Sequence, residues 1–296
     1  MYVLDKTSIE LTTNVGRLRD INPDHLRPYD AVYIGDPFCE LGVDNIIENE
    51  DDLLKAVEIL KECGKKVYLS TYVEPWTEKL SHISRMIEVG LDAGIEAVEI
   101  SDLGVLRLIS TEFKDINVHV SNYVNLFNSQ SAKYLSRYNV KRILPYPELS
   151  LQEIDKIKEG GSVSIEIQIH GKIPLGYTEL CTIRPENSKS KTKCPGTCYD
   201  VFMLRSDGLG MRAGGRVPFG HKDLCMINYL GELLNKGYRY FRIEALFESG
   251  KYRQSVGQIY RDHIDSMLES TGKFLEINPD GICNGFYFDK PGMEYL

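Results

Sequence analysis

The cysteine residues carry the strongest chemical signal in the sequence. Three of the seven lie in the stretch YTELCTIRPENSKSKTKCPGTCYD, as Cys181, Cys194 and Cys198. Polar and turn-forming residues separate them, which is typical of a loop. A fourth, Cys39, lies in YIGDPFCELG directly after a predicted strand. If the loop folds over the end of that strand, the four thiols converge.

Four thiolates without histidine suit a zinc ion or an iron–sulfur cluster. Structural zinc usually binds two short cysteine pairs, and this group contains one such pair, Cys194 with Cys198. The spacing favours a cluster and leaves zinc and redox-active thiols open as alternatives. A structural disulfide is disfavoured because no secretion signal is recognisable and the cytoplasm, the expected location, keeps thiols reduced.

Polar side chains at the ends of predicted strands are the second signal. The candidate acid–base residues are His119, His170, Glu148 and Glu166. Histidine and a carboxyl group of raised pKa can transfer protons near neutral pH, although a buried histidine can equally be a hydrogen-bonded core residue. The candidate substrate-binding residues, which also follow strands, are Asn122, Ser101 and Asp102. Hydrolase triads and glycine-rich phosphate loops are not recognisable.

Alternating strands and helices are predicted to position these residues. Short apolar runs typical of buried parallel strands are DAVYIGD, KKVYLST, EAVEIS, INVHVS, VKRILP and VSIEIQIH. The segments between them have helical periodicity, and two of these end at Gly64 and Gly94. This alternation predicts an α/β fold, a TIM-like barrel of parallel strands whose carboxyl ends carry the site.

The alternation breaks after Cys181 and resumes with YRYFRIEAL and SVGQIYRDHIDSMLES. We therefore predict one domain over residues 1–296. It has a cysteine-bearing insertion at the barrel mouth, over about 176–220, and a packed carboxyl-terminal tail over about 276–296.

The composition limits the classes of partner. Hydrophobic residues make up 42% of the chain, and no apolar run reaches the roughly 18 residues of a membrane span. The net charge of −8 disfavours nucleic acid, without excluding a local basic cleft. A soluble, cytoplasmic protein is expected.

Nearly the whole chain resembles the peptidase U32 family and, within it, the UbiV-like branch. The segments that carry the resemblance are YIGDPFCELG, YLSTYVEPW, EISDLGVL, HVSNYVN, ILPYPELS, IEIQIHGKIPLGYTELC, CPGTC and ICNGFY. The resemblance implies a 4Fe-4S cluster, with Cys39, Cys181, Cys194 and Cys198 as its ligands. It also implies oxygen-independent hydroxylation of a prenylated quinone precursor or related aromatic substrate, as a heterodimer with a UbiU-like U32 protein. A non-catalytic electron-transfer or structural partner, RNA-base hydroxylation and a true peptidase are the alternatives.

Overall fold

The computed structural model describes residues 9–40, 44–161, 163–183, 194, 197–200, 202–206, 209–266 and 271–296. Within these residues twelve strands, β1 to β12 in chain order, belong to one sheet. Their bounds are Glu10–Val15, Ala31–Ile34, Lys66–Ser70, Ala97–Ile100, Val118–Val120, Val140–Ile143, Ser164–Pro174, Phe202–Ser206, Leu209–Gly214, Val217–Cys225, Tyr240–Glu244 and Ile282–Cys283.

Nine α-helices, α1 to α9, lie in the same described residues. Their bounds are Pro23–Leu26, Glu50–Glu62, Leu80–Ala93, Leu103–Glu112, Ser129–Leu135, Leu151–Glu159, Leu230–Asn235, Gly250–Ser266 and Thr271–Ile277. The predicted stops are confirmed: α2 and α3 end just before Gly64 and Gly94, which have φ angles of 68° and 97°.

Eight parallel strands close into a barrel. Strands β1 to β7 pair in sequence order, and β11 pairs with both β7 and β1. Tyr240 of β11 lies opposite Glu10 on one side and Glu166 on the other. The TIM-like barrel predicted from the alternation is thus confirmed.

The strand residues alternate between two cores. Val32 and Ile34 of β2 face outward and join the large apolar core that packs the helices against the barrel. Ala31 and Tyr33 of the same strand face inward and contact Tyr68. This alternation follows from the two-residue period of a strand.

The centre of the barrel is ionic rather than aliphatic. Arg242 lies 2.9 Å from Glu166 and 2.7 Å from Glu99, and Arg142 lies 2.8 Å from Glu10. All five side chains are buried. Each charge is therefore paired, which a buried charge requires.

The insertion extends one wall of the barrel. Strands β8, β9 and β10 form an antiparallel meander, and β10 pairs with the second half of β7. The tail strand β12 pairs with β10. Residues 184–193, in the predicted insertion, lie outside the described residues. No helix in the described part of the chain is long and apolar enough to cross a membrane.

Candidate functional site: four cysteines beside the barrel mouth

The four cysteines of the predicted site are all partly buried. Burial raises the pKa of the Cys198 thiol, and the negative charges of Asp36, Cys39, Cys194 and Cys181 raise it further. These charges act on Cys198 because the groups lie near it, although they come from distant parts of the chain. The fold thus brings the four predicted thiols into one neighbourhood.

Gly215, in the turn between β9 and β10, lies against two of these cysteines. A Cβ atom at this position would be 3.2 Å from Cβ of Cys198 and 3.7 Å from Sγ of Cys181. The φ angle of Gly215 is 74°, in the left-handed region that glycine adopts readily. A glycine here leaves room for the two cysteines.

The loop after β2 fixes the fourth cysteine. The amide of Asn45 donates to the carbonyl oxygens of Asp36, at 2.9 Å, and Cys39, at 3.1 Å. The donor set of four thiols fits an iron–sulfur cluster chemically. Within the described ranges, no three His, Cys, Asp or Glu side chains already have the spacing of metal ligands.

Aromatic side chains connect the cysteines to the barrel mouth. Phe38 precedes Cys39, and its ring stacks on Phe247 with centroids 5.9 Å apart. Tyr199 follows Cys198, and its ring meets Phe247 edge-on at 4.9 Å. Cys198 itself packs against this aromatic cluster. Phe247 therefore contacts the neighbours of two predicted ligands.

A cavity opens beside the aromatic cluster at the carboxyl ends of the barrel strands, and its empty volume of about 410 Å³ includes space open to solvent. Its lining combines aromatic rings with polar groups from the barrel and the insertion. The lining residues are Phe38, Asn122, Tyr123, Gln168, Lys172, Pro174, Arg212, Phe219, Glu244, Ala245, Leu246, Phe247 and Glu248. This composition is typical of a site for a small ligand.

Glu244, at the end of β11, is an acidic group in this lining. Burial raises its pKa, while Arg242, 3.3 Å away, opposes that shift. Asn14 donates to its other carboxylate oxygen at 2.5 Å. A carboxyl group of raised pKa beside a cavity can hold or release a proton. The sequence prediction omitted Glu244, although its place at the end of YRYFRIEAL could have indicated it.

Glu166 and His119 lie deeper in the barrel. Tyr33 donates to Glu166 at 2.8 Å, and its oxygen accepts from Nδ1 of His119, also at 2.8 Å. Arg242 and Arg142 outweigh burial and hold the pKa of Glu166 well below its usual range, and burial lowers the pKa of His119. The structure thus places both in the ionic network, with Glu166 charged and His119 neutral near pH 7.

His170 lies on the other side of the barrel wall from Glu166. Its ring is surrounded by Tyr252, Tyr260 and Phe274 of α8 and α9. Burial lowers its pKa to about 3. The structure does not bring His170 together with the other candidate acid–base residues.

The remaining predicted residues are dispersed. Glu148 is exposed in the loop after β6, and Asp102 caps α4 by accepting from the backbone of Val105 at 3.0 Å. Ser101 is buried and bonds to the Ser121 hydroxyl at 2.8 Å. Asn122 lines the mouth cavity. Sequence reasoning missed Gln168, Lys172 and Arg212, which lie within strands rather than after them.

The fold and the site define a TIM-like barrel with a group of cysteines beside its mouth. Residues 25–295 match the model of peptidase family U32, and the chain belongs to this family. The UbiV-like branch within the family stays a prediction.

Three relatives illustrate the family. "Uncharacterized protease MJ0090" of Methanocaldococcus jannaschii is 27% identical and covers 90% of this chain and 63% of its own length. The 23S rRNA 5-hydroxycytidine C2501 synthase of Escherichia coli is 26% identical over an alignment that covers 82% of this chain and 37% of the synthase. The tRNA hydroxylation protein P of Escherichia coli is 27% identical over an alignment that covers 86% of this chain and 68% of that protein. The chain therefore spans between 37% and 68% of the length of these relatives.

Proposed function

We propose that this chain binds a 4Fe-4S cluster through Cys39, Cys181, Cys194 and Cys198 and acts as a component of an oxygen-independent hydroxylase of aromatic rings. The observation that carries the proposal is the contact of Phe38 and Tyr199 with Phe247. These contacts link the loops of two predicted ligands to the wall of the mouth cavity. When bound, the cluster would supply electron transfer.

The chain's own residues would hold and orient the substrate. Phe38 and Phe247 offer ring faces and edges against which an aromatic ring can pack. Asn122 offers a side-chain amide for hydrogen bonding. Glu244, partly buried and of raised pKa, can take up a proton released at the ring.

A small aromatic molecule, such as a prenylated quinone precursor, is the first candidate substrate. The aromatic side chains among the residues that line the mouth cavity favour a ring-bearing ligand. The net charge of −8 does not favour attraction of a polyphosphate chain. A UbiU-like U32 protein is the proposed partner.

An RNA base is the second candidate. Two of the relatives are named for hydroxylation of rRNA and tRNA, whereas composition alone disfavoured nucleic acid. A pyrimidine is also a flat ring that aromatic side chains can stack against. In both candidates a ring C–H bond is replaced by C–OH, a two-electron oxidation for which an oxygen-donating co-substrate other than dioxygen is required as oxygen source and oxidant.

The test is production of hydroxylated product without dioxygen. The chain is expressed with a UbiU-like protein in anaerobic cells that lack the corresponding activity, and quinone intermediates and RNA nucleosides are measured by mass spectrometry. We expect a quinone intermediate that is heavier by the mass of one oxygen atom. A heavier nucleoside supports the second candidate instead.

Matched variants separate a catalytic from an accessory role. Cys198→Ala is expected to abolish the product, and the exposed Cys63→Ala is the control that keeps it. Glu244→Gln is expected to lower the yield while the protein stays folded. If the partner alone makes the product at the full rate, this chain is no component of the reaction and the proposal fails.

A further inference from the structure

Gln168, which lines the mouth cavity, has a buried acceptor with no partner among the described residues. The residue is 2% exposed and lines the cavity from β7. Its amide nitrogen donates to the carbonyl oxygen of Lys172 at 3.2 Å, whereas its Oε1 atom has no hydrogen-bond partner among the described residues. Turning the amide over would set two acceptors against each other, so the bond to Lys172 fixes Oε1 as the unused group.

Arg212, which lines the same cavity, has a buried donor with no partner among the described residues. The residue is 3% exposed and reaches the cavity from β9 of the insertion. One terminal nitrogen pairs with Glu248, and the other donates to the carbonyl oxygen of Phe247 at 2.7 Å. The Nε atom of Arg212 has no partner among the described residues. Both terminal contacts hold the guanidinium in place.

Buried polar atoms are almost always hydrogen-bonded, so an unused acceptor and an unused donor in two residues that line one cavity indicate a ligand that satisfies both. A hydroxyl group does so, because it donates one hydrogen bond and accepts another. A methyl ether or a quinone carbonyl only accepts. The neighbouring Phe38 and Phe247 suit the ring that would carry the hydroxyl.

We infer that Gln168 and Arg212 are specificity-determining residues that recognise a hydroxyl group on the ring of the ligand. The site accordingly prefers a phenolic ring to its methyl ether or to the oxidised quinone. This inference rests on the proposed function for its aromatic ligand. It extends that proposal by naming the two side chains that form hydrogen bonds with the hydroxyl group of the ring.

The experiment compares the binding of two probes, 2-methoxyphenol and 1,2-dimethoxybenzene, to the purified full chain by ligand-observed NMR titration. The probes share a ring and differ in one O–H group. We expect the phenol to bind about tenfold more tightly, the effect of about one hydrogen bond to a buried group. Equal affinities would overturn the inference.

Variants separate the two contacts. Gln168→Met, which removes the acceptor at similar volume, is expected to abolish the tenfold preference while binding of the ether is unchanged. Arg212→Lys, which keeps a charge near Glu248 but removes Nε, is expected to weaken binding of both probes, because the oxygen of each accepts from Nε. Gln258→Met, on the exposed face of α8, is the matched control. A preference that survives in Gln168→Met contradicts the assignment.

Cytidine 5′-monophosphate is the third probe. If it binds more tightly than the phenol and Gln168→Met removes that binding, the pair reads a base edge and the hydroxyl assignment is wrong. None of these measurements depends on the cluster or on turnover. A phenol preference in protein without iron would therefore leave the inference standing while the proposed function fails.

Discussion

Glu166 and Glu244 lie in the same barrel, and their surroundings move their pKa values in opposite directions. Glu166 is buried with Arg242 and Arg142, whose charges favour the carboxylate. Glu244 is only partly buried, and a single arginine opposes the cost of removing its charge from water. A carboxyl group kept ionised by two arginines serves the structure of the barrel. One of raised pKa beside a cavity is suited to proton transfer.

Replacing Glu166 with Gln is expected to lower the free energy of unfolding by about 1–3 kcal/mol, because Arg242 and Arg142 lose the carboxylate that they share and keep Glu99 and Glu10 as partners. Urea denaturation measures the change. Glu148→Gln, at an exposed position, is the control and should change stability by less than about 0.5 kcal/mol. Loss of hydroxylation by Glu166→Gln at unchanged stability would instead assign Glu166 a role in the chemistry.

At the residue scale the proximity of the four cysteines could be predicted, and their role as ligands stays a prediction, whereas the placement of the acid–base residues could not be predicted. The four cysteines can be recognised in the sequence from their residue type and spacing, whatever conformation the loop adopts. The placement of His170 depends on a single extra residue in β7: Gln168 lies opposite Arg242, but His170 lies opposite Ile243. This bulge reverses the alternation of side chains, so Gln168 lines the cavity and His170 faces α8 and α9. The sequence alone does not indicate the bulge.

At the scale of elements, β7 approaches β11 so closely that one position between them accepts only glycine. Gly171 has a φ angle of 104°, and a Cβ atom there would overlap the carbonyl oxygen of Glu244. The same contact fixes the end of β11, from which Glu244 reaches the cavity. The packing of these two strands thus determines the shape of the mouth.

We predict that Gly171→Ala destabilises the protein by about 1–3 kcal/mol more than Gly64→Ala. Both glycines have positive φ angles, so both variants carry the strain of a left-handed alanine. Gly64, however, has no atom within 4 Å of the added Cβ, so only the Gly171 variant adds a steric clash. Equal losses of unfolding free energy for the two variants, measured by urea denaturation, would show that β7 and β11 move apart without an energetic cost and would contradict the prediction.

Most strands could be predicted because their sequences contain short apolar runs. Strand β1 could not be predicted in this way. Its sequence, ELTTNV, contains inward-facing polar residues that serve the ionic interior. Thr12 donates to Glu166 at 2.5 Å, and Asn14 accepts from the backbone of Ala245 at 2.9 Å. These partners lie more than 150 residues away in the chain, so no local pattern indicates them.

At the scale of the whole molecule, buried titratable groups make stability depend on pH. The pKa of His170 is about 3 in the folded protein, against the usual 6.5. As pH falls from 6.5 towards 3, the unfolded chain takes up a proton at this residue and the folded chain does not. Stability is therefore lost through this window, by up to about 1.4 kcal/mol per pH unit.

His170→Gln removes that proton uptake. The free energy of unfolding of the variant should fall less steeply between pH 6.5 and 4.5 than that of the unmodified protein. Burial raises the pKa values of Asp36 and Asp223 to about 6, so these two groups make the folded state more stable as pH falls below 6. This opposite dependence is the same in the variant and the unmodified protein. The difference between the two urea-denaturation series isolates His170. Parallel pH profiles would contradict the lowered pKa.

The closed barrel brings together cysteines that are as far apart in sequence as residues 39 and 198, and that convergence is the basis of the proposed cluster. Its direct test is the metal and sulfide content of protein purified without dioxygen, together with its visible absorption spectrum. We expect about four iron and four sulfide per chain. The Cys194→Ala variant should lose most of both, whereas Cys63→Ala keeps them. Zinc in place of iron, or full iron content in Cys194→Ala, would contradict the account.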